Sequence, residues 1–125
     1  MPNPTAVPKP LDKFGELIMH ALRDTSIELC KGLTEANFTA PNHQAMQRQI
    51  AHMSDAEKDL LVKCVTYCID GGINDFLYDL DKACREATKI QLSVDDQNIA
   101  EQTDALHREV HGPEGWKTRF SEYTE

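Results

Sequence analysis

The sequence predicts a mainly α-helical fold, a small bundle of three to four helices packed around one long, kinked helix. Three observations lead there. Residues 54–88 carry one apolar helical face without a proline, Ser54 and Glu57 form an S-x-x-E start signal for it, and residues 11–31 repeat the same three-and-four apolar spacing.

Taken in order, the chain begins with four prolines in its first ten residues, so 1–10 is expected to be an extended proline-rich arm and 11–125 a single helical domain. The start has no apolar core segment of the kind a signal peptide needs. Over 11–31, Leu11, Phe14, Leu17, Ile18, Ala21, Leu22 and Leu29 share one side of a helix and the charges lie opposite; Gly32 is its expected C-cap. A connection over 33–41 ends in Pro41, a helix-start residue, and 42–52 follows as a short helix with Ala45, Met46, Gln49, Ile50 and Met53 as its less polar side.

In the long helix the Ser54 oxygen caps a first-turn amide while Glu57 reaches back to the Ser54 amide. Val62, Ile69, Ile73, Phe76, Leu80, Ala83 and Ala87 then form the buried stripe, widened by Leu61, Val65 and Cys68. A helix of this length would measure roughly 50 Å, against a diameter of about 36 Å for a compact chain of this size. Gly71-Gly72 is therefore the expected bend, since each glycine costs about 1 kcal/mol in a helix interior. Gly72 would also permit close approach of a neighbouring helix.

From residue 88 the period changes. Ile90, Leu92 and Val94 alternate with polar residues and Asp95-Asp96-Gln97-Asn98 is turn-like, which fits a short β-hairpin near 89–100. The reading placed first is instead a linker in which Ser93 or Asp95 caps a helix over 96–111. Gly112-Pro113-Glu114-Gly115 ends that element, and Trp116, Phe120 and Tyr123 form a C-terminal aromatic turn, expected to dock on the core. The alternative is that Trp116 anchors a partner.

The chain has 125 residues, 40% of them hydrophobic and 27% charged, values ordinary for a globular protein. No apolar stretch approaches the ~20 residues of a membrane span. Thirteen basic residues against twenty-one acidic ones give a net charge of −8, which disfavours nucleic acid and anionic membranes and favours a basic partner. Cys30, Cys64, Cys68 and Cys84 all fall within apolar helical patterns, so reduced thiols in a cytoplasmic protein are expected, with Cys64 and Cys68 packing as small apolar residues.

The sharpest local constellation is Asp104-x-x-His107-x-x-x-His111, which on an α-helix would place a carboxylate and two imidazoles along one face, a competent transition-metal set. His20, His43 or His52 could add a fourth ligand. Arg108 stands where a zincin would need glutamate, so the pattern is not that motif. Asp75 and Asp79 lie one helical step apart and could receive basic groups of a partner, whereas Asp81 and Arg85 should pair within the helix. The sequence contains no nucleophile elbow, phosphate loop or dinucleotide fingerprint. It therefore reads as a non-catalytic acidic helical protein acting through protein–protein interaction, of the regulatory or immunity kind, with no cofactor and with homo-oligomerisation open. A metal-binding protein or metal-dependent enzyme using Asp104, His107 and His111 is the alternative.

Overall fold

The computed structural model of the chain describes residues 8–86 and 90–124. Most of the expected proline-rich arm, and Ala87 and Thr88 at the expected end of the long helix, lie outside the described residues. The fold is mainly α: α1 (Pro10–Leu17), a π-helical segment (Ile18–Asp24), α2 (Thr25–Thr34), α3 (Pro41–Ile50), α4 (Asp55–Arg85), a two-stranded hairpin of β1 (Ser93–Val94) and β2 (Gln97–Asn98), 3₁₀ turns at Ala100–Gln102 and Leu106–Val110, and α5 (Trp116–Phe120). None of these helices is long and apolar enough to cross a membrane.

α1, the π segment and α2 form one uninterrupted helical run, because the residues joining them are all in the right-handed helical region. The wider π turn re-aims the helix. Its buried side is Leu11, Gly15, Met19, Arg23, Asp24, Ile27 and Cys30, while Leu17, Leu22 and Leu29, all expected inside, are exposed. The Thr25 hydroxyl donates to the His20 carbonyl at 2.9 Å, which gives a backbone acceptor in the widened turn a partner.

The run continues past Gly32 to Thr34, so Gly32 is not its C-cap. Ala36 takes the left-handed position with φ 58°, and the amides of Asn37 and Ala36 donate to the carbonyls of Gly32 and Leu33 at 3.0 and 3.4 Å, a Schellman closure made without glycine. Gly32 is needed for another reason: a Cβ there would run into the Phe38 ring. The Gln47 side chain on α3 holds this connection at both the amide and the carbonyl of Phe38, at 2.9 and 3.0 Å.

α4 begins with the expected capping box, Ser54 accepting from the Glu57 amide at 3.1 Å and Glu57 accepting from the Ser54 amide at 2.9 Å. It then runs unbroken for 31 residues, about 46 Å. The helix is not interrupted at Gly71-Gly72, the expected bend, and both glycines face open space, so Gly72 admits no close approach of a neighbouring helix. The length is accommodated because only the second half of α4 enters the main core, through Ile73 and Leu77; the first half extends beside α2. Phe76, expected in the stripe, is 53% exposed, and Leu77 takes the central position instead.

The core joins Leu11, Met19, Ile73, Leu77, Ile99, Leu106, Val110 and Trp116. The second half of the chain reaches it by the hairpin and 3₁₀ turns rather than by a helix over 96–111, which is not formed. Asp95 and Asp96 both have positive φ, 52° and 63°, the backbone of a two-residue type I′ turn, and Val94 pairs with Gln97 across it. Lys13 ties that turn to α1 through Asp95 at 2.7 Å.

Candidate functional site

The sequence-predicted residues are dispersed. Asp75 and Asp79 lie exposed on α4 on either side of the exposed Phe76, and among the described residues neither forms an ion pair; Asp75 has only a long contact with the Asn74 amide at 3.5 Å. Trp116 is 0% exposed, edge-on to Phe14 with ring centroids 5.9 Å apart. Its expected docking on the core is seen, and the alternative role as a partner anchor has no surface to act through.

Asp104, His107 and His111 do not share a helical face, because the segment is a loop followed by a short 3₁₀ turn. His107 packs edge-on against Tyr78 at 5.3 Å, with its Nδ1 buried and unpartnered. His111 reaches Asn74 Oδ1 at 3.4 Å, and Asp104 is exposed. His20 contacts the Phe120 carbonyl at 2.8 Å and His43 stacks edge-on with Phe38, so neither turns toward this segment, and His52 is exposed. Among the described residues no three histidine, cysteine, aspartate or glutamate side chains converge to hold a metal ion. Cys64 and Cys68, expected to pack, are exposed; Cys30 and Cys84 are at least partly covered, and burial pushes both thiols up.

What the structure does assemble is a buried polar latch. Arg23 comes from the π segment and is 0% exposed; it grips Asp70 of α4 in a bidentate pair at 2.6 and 3.2 Å. Its third nitrogen donates to Ser121 Oγ at 2.7 Å and to the Tyr123 carbonyl. The Ser121 hydroxyl in turn donates to Asp24, whose other oxygen accepts from the Glu122 amide at 2.9 Å. Lys117 approaches Asp70 from outside at 3.6 Å. Adjacent residues Arg23 and Asp24 thus capture the C-terminal segment from one turn, and each buried charge meets an opposite charge or a hydrogen bond, which burial of ions requires.

A second hub fixes the 3₁₀ turns. Asp81, 9% exposed, accepts from Arg85 at 2.8 and 2.9 Å, the pairing the spacing predicts, and also from the Leu106 amide at 3.0 Å. Arg85 continues to the carbonyls of Thr103 and Asp104 at 2.9 and 3.0 Å. The Arg85 guanidinium holds the Asp81 carboxyl below its usual range, with the Leu106 amide contributing. At the chain's other seam Arg119 grips Asp12 at 2.8 and 3.1 Å and lowers its pKa likewise, helped by the Trp116 indole, although the buried indole N–H makes no hydrogen bond of normal geometry.

Two clefts flank the contact between α2 and α4. One, of about 390 Å³, is almost wholly apolar and lies between Leu29 and Leu33 of α2, Met46 of α3 and Leu61 and Val65 of α4. The other, of about 440 Å³, lies on the opposite side, where Ile27 and Lys31 face Val62, Lys63, Tyr67 and Asp70, and the segment carrying Lys117 and Tyr123 closes its end. Neither cleft contains a nucleophile paired with a base. No protein-family model matches the chain, and no curated protein or solved structure is significantly similar to it.

Proposed function

We propose that this chain is a non-catalytic interaction protein that binds a protein partner along the apolar cleft and the α4 face beyond it. One observation carries the reading: Leu29 and Met46, 42 and 50% exposed, line the apolar cleft, and Phe76, 53% exposed, lies farther along α4, and exposed apolar surface of this kind marks interaction sites. Asp75 and Asp79 flank the Phe76 end, so the complement is an amphipathic helix with apolar anchors and basic residues at one end. The acidic flank would steer association rather than supply most of the affinity.

The experiment is capture of a partner by the native chain and by Met46→Glu and Leu29→Glu variants, followed by association kinetics at several salt concentrations. Retention by the native chain alone, with an association rate that falls as salt rises and falls less in Asp75→Asn/Asp79→Asn, is the expected result. Equal capture by the apolar-cleft variants would remove the reading.

A further inference from the structure

The cleft on the other side of α2 is chemically distinct from the apolar one. In a chain of net charge −8, three of its thirteen basic residues, Lys31, Lys63 and Lys117, line this single cleft against one lining carboxylate. That carboxylate, Asp70, is already neutralised by Arg23 from below. The ammonium of Lys31 lies over the Tyr123 ring at 5.1 Å, which places positive charge beside an aromatic wall. Across the cleft Tyr67 is 81% exposed, an unusual waste of a large ring unless something covers it, while Ile27 and Val62 form the apolar part of the lining. Among the described residues Lys63 forms no ion pair.

Such a lining, aromatic side walls, an aliphatic part and ammonium groups of which Lys63 is unpaired among the described residues, matches the general form of a small-molecule site, in which apolar contacts give affinity and a few polar groups fix orientation. Lysine ammonium groups favour carboxylate or sulfonate, and the field of three of them concentrates anions locally despite the acidic surface elsewhere. Lys31 is already engaged with the Tyr123 ring, so the anion belongs at the Lys63 and Lys117 end. We propose that this cleft binds a small aryl anion, its ring between Tyr67 and Tyr123 and its carboxylate or sulfonate at Lys63 and Lys117.

The probe is 8-anilinonaphthalene-1-sulfonate, titrated into the full chain and followed by its fluorescence, with uncharged N-phenyl-1-naphthylamine as the comparison. Expected is one saturable site whose affinity drops with ionic strength. The Lys63→Gln variant should weaken it about tenfold or more, the value of a hydrogen bond to a charged group; Lys63→Arg should restore it, and Tyr67→Ala should also weaken it. Met46→Gln, in the opposite cleft, should leave it unchanged. All these positions are solvent-accessible, so melting curves should match the native chain. Absent saturable binding, an unchanged affinity in Lys63→Gln, loss in Met46→Gln, or equal affinity for the uncharged compound would each overturn the proposal.

Discussion

The indole of Trp116 lies against the bare backbone of Gly15, so closely that a Cβ at residue 15 would collide with the ring. The glycine and the tryptophan are a single packing unit formed by two ends of the chain. Replacing Gly15 with alanine should cost about 1–3 kcal/mol, as overpacking does, and Trp116→Ala about 3–5 kcal/mol, as deletion of a buried large aromatic does. Urea denaturation of the two single variants and the double should show strong non-additivity, because Gly15→Ala harms the fold chiefly while Trp116 is present. Tryptophan emission of the native protein should be that of a buried indole; water-exposed emission would contradict the packing.

Arg23 is the residue on which the latch depends. Arg23→Ala should cost about 3–5 kcal/mol, since it leaves the Asp70 carboxylate without its buried partner and frees the Ser121 and Tyr123 acceptors. Arg23→Met combined with Asp70→Leu should cost clearly less than the sum of the separate changes, because the buried charges leave together. Equal denaturation midpoints for native protein and Arg23→Ala would show that the latch does not hold the C-terminal segment in solution.

Left-handed backbone at non-glycine positions identifies stabilising changes. Ala36 at φ 58° and Asp96 at φ 63° each occupy a region that L-residues enter at a cost. Ala36→Gly and Asp96→Gly should each raise stability by roughly 0.5–1 kcal/mol, relief of strain outweighing the added freedom of the unfolded chain. Thermal unfolding of each variant decides it, and a lower melting temperature would show that the turn geometry differs.

Asp12 and Asp81 bind protons more weakly in the folded chain than their ordinary value of 3.8, through Arg119 and Arg85 respectively. The stability this gives is fully present above that value and is lost as pH falls through the lower folded values. Melting temperature should therefore hold from neutrality to about pH 5 and then decline steadily toward strong acid. Asp12→Asn and Asp81→Asn should each lower the plateau and flatten the acid limb; an unaltered limb in both would exclude these pairs as its source.

Much of the fold was legible because local chemistry dictates it. Ser54 and Glu57 specify the start of α4 by their own hydrogen bonds, and the alternation of Ile90, Leu92 and Val94 with the two aspartates that follow fits the hairpin that forms, in place of the expected helix over 96–111. The latch was hidden because periodicity places apolar residues, and a π turn changes the period. Arg23 looked like part of a solvated face although Met19 and Ile27, four residues to either side, are apolar and buried; that flanking was the one signal available. Phe76 and Leu77 exchanged roles for a related reason: both fit a helical stripe, and which is buried depends on the angle at which the rest of the chain meets α4. The shared face of the alternative metal reading does not form, because Asp104, His107 and His111 share a side only on an α-helix, and Gly112, Pro113 and the Asp81 contact to Leu106 favour shorter turns.

The ion pair between Asp12 and Arg119 spans 107 positions, whereas the Asp81 contact to the Leu106 amide spans 25. Closing the longer loop costs about 1.3 kcal/mol more chain entropy than closing the shorter one. That difference predicts an order of assembly in which the 3₁₀ turns settle on α4 first and the segment carrying Trp116 and Ser121 arrives last, upon a surface the rest has prepared. In kinetic experiments, changes at Arg23 and Trp116 should then accelerate unfolding and leave the folding rate nearly untouched, whereas changes at Asp81 should slow folding.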